Sequence, residues 1–168
     1  MLEQLNPRAV FHWFEKISTI PRGSGHMEAI SQWCMDFAQQ RGLPCRRDHA
    51  GNVVITKPGQ GAAAGCTPLI LQGHMDMVCA ATPRAEVDLT RCGPQLQTDG
   101  TFVWARETTL GADDGIAVAM ILAVLDDGRM PHPPLEAVLT VDEETGMQGA
   151  KALDKSLLSG RRMINLDA

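Results

Sequence analysis

Four short clusters in this chain carry groups able to do chemistry: His74-Met75-Asp76, Asp113-Asp114, Glu143-Glu144 and Asp167. Three of them end apolar segments, and Asp113-Asp114 opens one. Ionised carboxylates gathered at one place repel, and burial raises the cost. A cation is the simplest compensation. The donor set is nitrogen and oxygen without sulfur, which suits Zn2+, with Mn2+ or Co2+ also accommodated. One imidazole among several carboxylates fits a two-metal centre with a bridging carboxylate. Two ions about 3.5–4 Å apart share a water and clamp both oxygens of a hydrolytic step.

Each cluster alone has a plainer reading. His74 is then a structural or exposed side chain and Asp76 a turn residue. Asp113 or Asp114 caps the following helix, a common task for Asp. Glu143-Glu144 is a solvated pair, and Asp167 ends a strand. These readings weaken jointly, because chance rarely sets all four at the boundaries of buried segments.

The elements that must position the clusters follow from periodicity. Asn6-Pro7 marks a helix start, with apolar residues from Val10 to Ile20 at helical spacing. Residues 21–25 break it. A second amphipathic helix is expected over 26–41, with Gly42 as its stop. Strands at 43–48 and 52–57 flank a turn at Ala50-Gly51. The apolar run 69–71 reads as a buried strand leading to His74. Roughly two dozen residues without periodicity come next, a length more often functional than idle.

Further along, a strand is expected at 102–104, a helix apolar nearly all round at 114–125, and a strand at 135–141. A helix near 148–158 then leads to a strand at 163–166. Strands alternating with helices give an α/β fold, three-layered, with a mixed and largely parallel sheet and flanking helices. In such sheets, sites gather at the carboxyl ends of the strands.

Composition bounds the rest. The 168 residues are near the size of one domain, and 44% are hydrophobic, enough for a core. A net charge of -5 argues against a nucleic-acid partner, which calls for Lys and Arg along phosphates. No apolar run approaches the about 18 residues of a membrane span, so no membrane partner is expected. The start of the chain lacks the pattern of a secretory signal. Five Cys without C-x-x-C spacing argue against a disulfide framework and for a reducing, cytoplasmic setting. His12, His26, His49 and His132 read as structural or surface residues, and Trp13 and Trp33 as core. No G-x-S-x-G, Walker A or G-x-G-x-x-G motif occurs.

The clusters resemble a known set. Leu71-Gln-Gly-His-Met-Asp-Met77 looks like the first metal motif of the aminoacylase and carboxypeptidase-G type di-zinc metallopeptidases. Thr108-Thr-Leu-Gly-Ala-Asp-Asp-Gly115 resembles the second, the run from Leu135 to Met147 the third, and Ile164-Asn-Leu-Asp167 the fourth. Phe14-Glu-Lys-Ile, Ile20-Pro and the hairpin ending at Lys57-Pro58 bring the resemblance nearest to the aminoacyl-histidine (Xaa-His) dipeptidases.

The resemblance implies roles. His74 and Asp167 would bind the first zinc, Asp113 would bridge both, and Glu144 would bind the second. Glu143 would be the general base. Asp76 would serve the catalytic site without touching metal, by fixing the His74 tautomer through a hydrogen bond. The substrate would be a small dipeptide of the Xaa-His, carnosine-like kind, and the full-length protein a homodimer.

The resemblance further implies that residues 1–168 are the amino-terminal part of the catalytic domain. A lid or dimerisation domain and a returning segment, which brings a last His to the second zinc, would lie outside them. The chain alone is then expected to bind metal weakly or partially, with little or no peptidase activity. Glu107 departs from the subgroup, which places Gly there. Two alternatives stand beside this reading: another peptidase or deacylase of the same clan, and a non-catalytic metal-binding fragment.

Overall fold

A computed structural model describes residues 1–167. Its centre is a five-stranded sheet in the order β1-β2-β6-β3-β7. The strands are β1 Cys45–Arg47, β2 Val53–Lys57, β3 Leu69–His74, β6 Leu135–Thr140 and β7 Arg162–Asn165. β6, β3 and β7 run parallel, and β1 and β2 form the antiparallel edge. The mixed, largely parallel sheet expected from the sequence is therefore present.

Strand alternation makes the layers. Val53, Ile55, Leu71, Ala137 and Leu139 point to one face. There they pack against Trp13, Phe14 and Ile17 of α1 (Arg8–Ile17), Ile30, Cys34 and Phe37 of α2 (Glu28–Gln40), and Ile121 and Leu122 of α3 (Ala112–Asp126). Each such large apolar side chain gains roughly 1.5–3 kcal/mol on burial. The intervening Val54, Ile70 and Val138 face the other way, where Leu153, Leu157 and Leu158 cover them. The second face is thinner because only short elements lie on it.

Two expectations need correction there and in the long loop. The helix expected at 148–158 stops early: α4 spans only Gln148–Ala152, and Lys155–Leu157 is a 3-10 turn. The Asp154 carboxylate accepts the N–H and hydroxyl of Ser156 at 3.0 and 2.7 Å, a local bond that competes with helix continuation. The strand expected at 102–104 forms as β5 (Val103–Ala105) but stays outside the main sheet, pairing with β4 (Leu96–Thr98). Asp99 accepts the N–H groups of Thr101 and Phe102, both at 2.8 Å, which closes that small hairpin. Trp13, Trp33 and Phe37 form an aromatic cluster in the core, as expected. All five cysteines are free.

Candidate metal centre

The parallel strands β3, β6 and β7 point their carboxyl ends to the same edge of the sheet. His74 is the last residue of β3, Glu143 and Glu144 follow β6, and Asp167 follows β7. Asp113 and Asp114 open α3, which packs on β3. Both depart from helical backbone angles, so the regular helix begins after them. The side-chain bonds found for their carboxylates go to His74 and not to α3.

His74 is 1% exposed, and its two ring nitrogens face different partners. Nδ1 lies 3.1 Å from the Asp76 carbonyl oxygen and 3.3 Å from Asp76 Oδ1. Nε2 lies 3.0 Å from Asp113 Oδ1. Asp76 holds a proton on Nδ1, and the proton on Nε2, which points to Asp113 in the metal-free chain, is the one a metal would replace. A carboxylate on the far ring nitrogen orients a metal-binding imidazole in this way.

Two groups of donors come together around the imidazole. His74, Asp113 and Glu144 each offer a ligand atom within 4.8 Å of the others. So do His74, Asp114 and Asp167. The three acids read from the sequence as metal-binding, Asp113, Glu144 and Asp167, thus stand around the His74 imidazole. The partition differs from the implied one. Asp167 groups with Asp114, where the resemblance implies a pairing with Asp113. Asp114 is the acid for which the resemblance implies no role, and nothing in its spacing separates it from Asp113. Its buried Oδ2 accepts the His74 backbone N–H at 3.0 Å.

Asp76 is fully buried and joins three segments. Its carboxylate accepts the Ser24 hydroxyl at 2.7 Å, the Glu143 N–H at 3.0 Å and the Glu144 N–H at 3.3 Å. Glu143 is half-buried beside it. The loop bearing both glutamates is also held from below. Asn52 Oδ1 accepts the Val141 N–H at 3.1 Å, and its Nδ2 donates to the Gly149 carbonyl at 2.9 Å.

Electrostatics reflect the crowding. Burial opposes the charge on His74, but Asp76, Asp114 and Asp113 outweigh it and raise the imidazole to about 9. Burial would raise Asp76, yet hydrogen bonds from His74, Ser24 and Glu143 hold it at about 2. Burial pushes Asp114 up to about 6, with repulsion from Asp167 and Asp113 adding to it. Glu144 is also raised, by burial and then by the charge of Asp113. Burial first, and the neighbouring acids second, thus disfavour the charge on Asp114 and Glu144, a cost that a divalent ion would relieve. The donor chemistry and spacing fit a divalent ion.

Arg22 escaped the sequence reading, because it lies in what reads only as a helix break. It is 1% exposed and heads the fully buried side chains by size. Its guanidinium donates from Nη1 to the Met75 carbonyl at 3.0 Å and to that of Asp76 at 3.5 Å, and from Nη2 to the Gly111 carbonyl at 2.5 Å. Burial lowers its pKa to about 10, which leaves it charged at neutral pH.

Glu107 sits away from this cluster. Its φ of 58° is the left-handed region that Gly enters without cost, which accounts for Gly at this place in the resembled subgroup. Its carboxylate accepts the Thr82 hydroxyl, and its carbonyl accepts the Thr82 N–H at 2.9 Å. Its side chain and backbone therefore tie the two ends of the long loop together.

Comparison with known proteins bears out the resemblance read from the motifs. The chain is 40% identical over 167 residues to the cytosol non-specific dipeptidase of Escherichia coli (strain K12), covering 99% of this chain and 34% of that protein. An aminoacylhistidine dipeptidase structure from Vibrio alginolyticus matches with a TM-score of 0.95 at 39% identity, over 100% of this chain and 34% of that one. A tripeptidase structure from Staphylococcus aureus matches with a TM-score of 0.80 at 26% identity, over 98% of this chain and 44% of that one. The chain thus spans about a third of the first two relatives. No family model matches it.

Proposed function

We propose that this chain supplies the amino-terminal part of the catalytic domain of a metal-dependent dipeptidase, acting on small Xaa-His dipeptides. The observation that carries the reading is the convergence of His74 with four carboxylates at one sheet edge. The similarity to two dipeptidases along nearly the whole chain supports it.

In this reading His74, Asp113, Glu144 and Asp167 would hold two zinc ions, with Asp113 shared. The ions, when bound, supply Lewis acidity that acidifies a water and polarises the scissile carbonyl. Glu143 accepts the proton of the attacking water and passes it to the leaving amine. Asp76 keeps the His74 tautomer and fixes the backbone of Glu143 and Glu144. Asp113 and Glu144 would be this chain's donors to the second ion, and a further donor would come from the rest of the whole protein. The resemblance implies a homodimer for the whole protein, and the cytosol dipeptidase among its relatives supports a cytosolic setting. No helix among the described residues is long and apolar enough to cross a membrane.

Zinc titration of the chain, paired with an assay on an Xaa-His dipeptide, tests the proposal. The expected result is zinc binding that His74→Ala abolishes, with little or no turnover. Zinc binding indifferent to His74 would overturn it. A second reading, a tripeptidase, draws on the Staphylococcus aureus match. Substrate profiling of the whole protein separates the two.

A further inference from the structure

We infer that Arg22 is a positioning residue for the metal centre, binding the backbone that follows β3 to the backbone that precedes α3 so that His74 and Asp113 meet. The inference rests on the proposed function.

The guanidinium contacts locate the role. Met75 and Asp76, whose carbonyls accept from Nη1, directly follow His74. Gly111, whose carbonyl accepts from Nη2, stands just before Asp113. The Arg22 carbonyl accepts the Met77 N–H at 3.1 Å, so the residue grips the β3 end from both sides. Two glycines make the room. A Cβ on Gly111 would stand 2.6 Å from Nη2, and one on Gly115 would stand 2.5 Å from it.

A purely structural residue at this place would not need charge. Burying a guanidinium is costly, and an apolar side chain of similar volume often serves a core as well or better. Arg22 has no salt bridge among the described residues, and its buried Nε has no hydrogen-bond partner there. What the residue uniquely offers is a planar fork that bridges carbonyls on two segments. Its positive charge also lies behind Asp76 and Asp114, whose carboxylates it attracts. That attraction offsets part of the mutual repulsion of the acids before any ion arrives.

The test measures zinc affinity of the chain by competition with a chromophoric chelator, for wild type, Arg22→Met, Arg22→Lys and Gly115→Ala. The absorption spectrum of the cobalt-loaded protein is recorded at saturation, since it reports ligand geometry. Arg22→Met is expected to weaken zinc about 10–100-fold, the range for residues that orient ligands, and to shift the cobalt spectrum. Arg22→Lys should recover part of the loss, and Gly115→Ala should weaken zinc by crowding the guanidinium. A folded Arg22→Met chain with wild-type affinity and spectrum overturns the inference. Where Arg22→Met fails to fold, Arg22→Lys and Gly115→Ala carry the test, and wild-type affinity in both overturns it. If all three fail to fold, Arg22 determines the fold alone and the inference is equally overturned. Failure of the wild-type chain to bind zinc is a different result: it removes the proposed function, and this inference with it.

Discussion

Asp76 Oδ1 accepts the backbone N–H of Glu143 at 3.0 Å, across 67 residues of chain. The same buried carboxylate faces His74 Nδ1 at 3.3 Å. One acid therefore sets both the imidazole and the loop of the proposed base. Asp76→Asn keeps the volume but turns an amide N–H₂ toward donors. The expected outcome is a zinc affinity lower by about 10–100-fold. A stability loss of about 1–3 kcal/mol should accompany it, from the buried donors left without a partner. Chelator competition and urea unfolding measure the two.

Zinc affinity is expected to rise with pH. In the metal-free chain His74 titrates at about 9 and Asp114 at about 6. Zinc needs a neutral imidazole, so between these values binding releases about one proton and affinity climbs about tenfold per pH unit. Calorimetry in buffers of different ionisation enthalpy counts the proton.

The same shift has the opposite consequence for the metal-free fold. An imidazole raised from 6.5 to about 9 stabilises the folded chain fully below pH 6.5. That contribution fades as pH rises from 6.5 through 9. Asp76, lowered from 3.8 to about 2, stabilises the fold above pH 3.8, and its contribution is lost as pH falls through 2. Unfolding midpoints in chelator-treated buffer across pH 2–10 follow both limbs.

Asn52→Ala should loosen the glutamate loop without touching any ligand. It strips the Val141 N–H and the Gly149 carbonyl of their buried partner. Each orphaned group costs about 1–3 kcal/mol. Urea denaturation should show that loss, and zinc affinity should fall with it.

Glu107→Gly is expected to change little. Relief of the left-handed backbone at φ 58° is worth about 1 kcal/mol, and loss of the exposed bond to Thr82 costs a similar amount. Thermal unfolding within about 1 kcal/mol of wild type, at unchanged zinc affinity, is the expected result.

The sheet and its acids were legible because burial leaves a period. Val53 to Lys57, Leu69 to Leu71 and Leu135 to Thr140 are continuous apolar or alternating runs, and each proposed ligand stands where such a run stops or a helix begins. The parts that were not legible depend on local bonds or on long-range geometry. Asp154 and Ser156 end a helix that the apolar residues alone would continue. Asp113 and Asp114 are the same residue type in adjacent positions, and only the folded backbone decides which approaches Nε2. Arg22 gives no sequence signal, because its partners are carbonyls, which every residue carries.

A metal held by His74 and its surrounding acids would be visible in a crystal. Crystals of the chain grown with zinc, measured on both sides of the zinc absorption edge, test it most directly. An anomalous peak is expected at the end of β3, in coordinating reach of His74 Nε2 and at least two of Asp113, Asp114, Glu144 and Asp167. A zinc-saturated crystal with no peak there would contradict it.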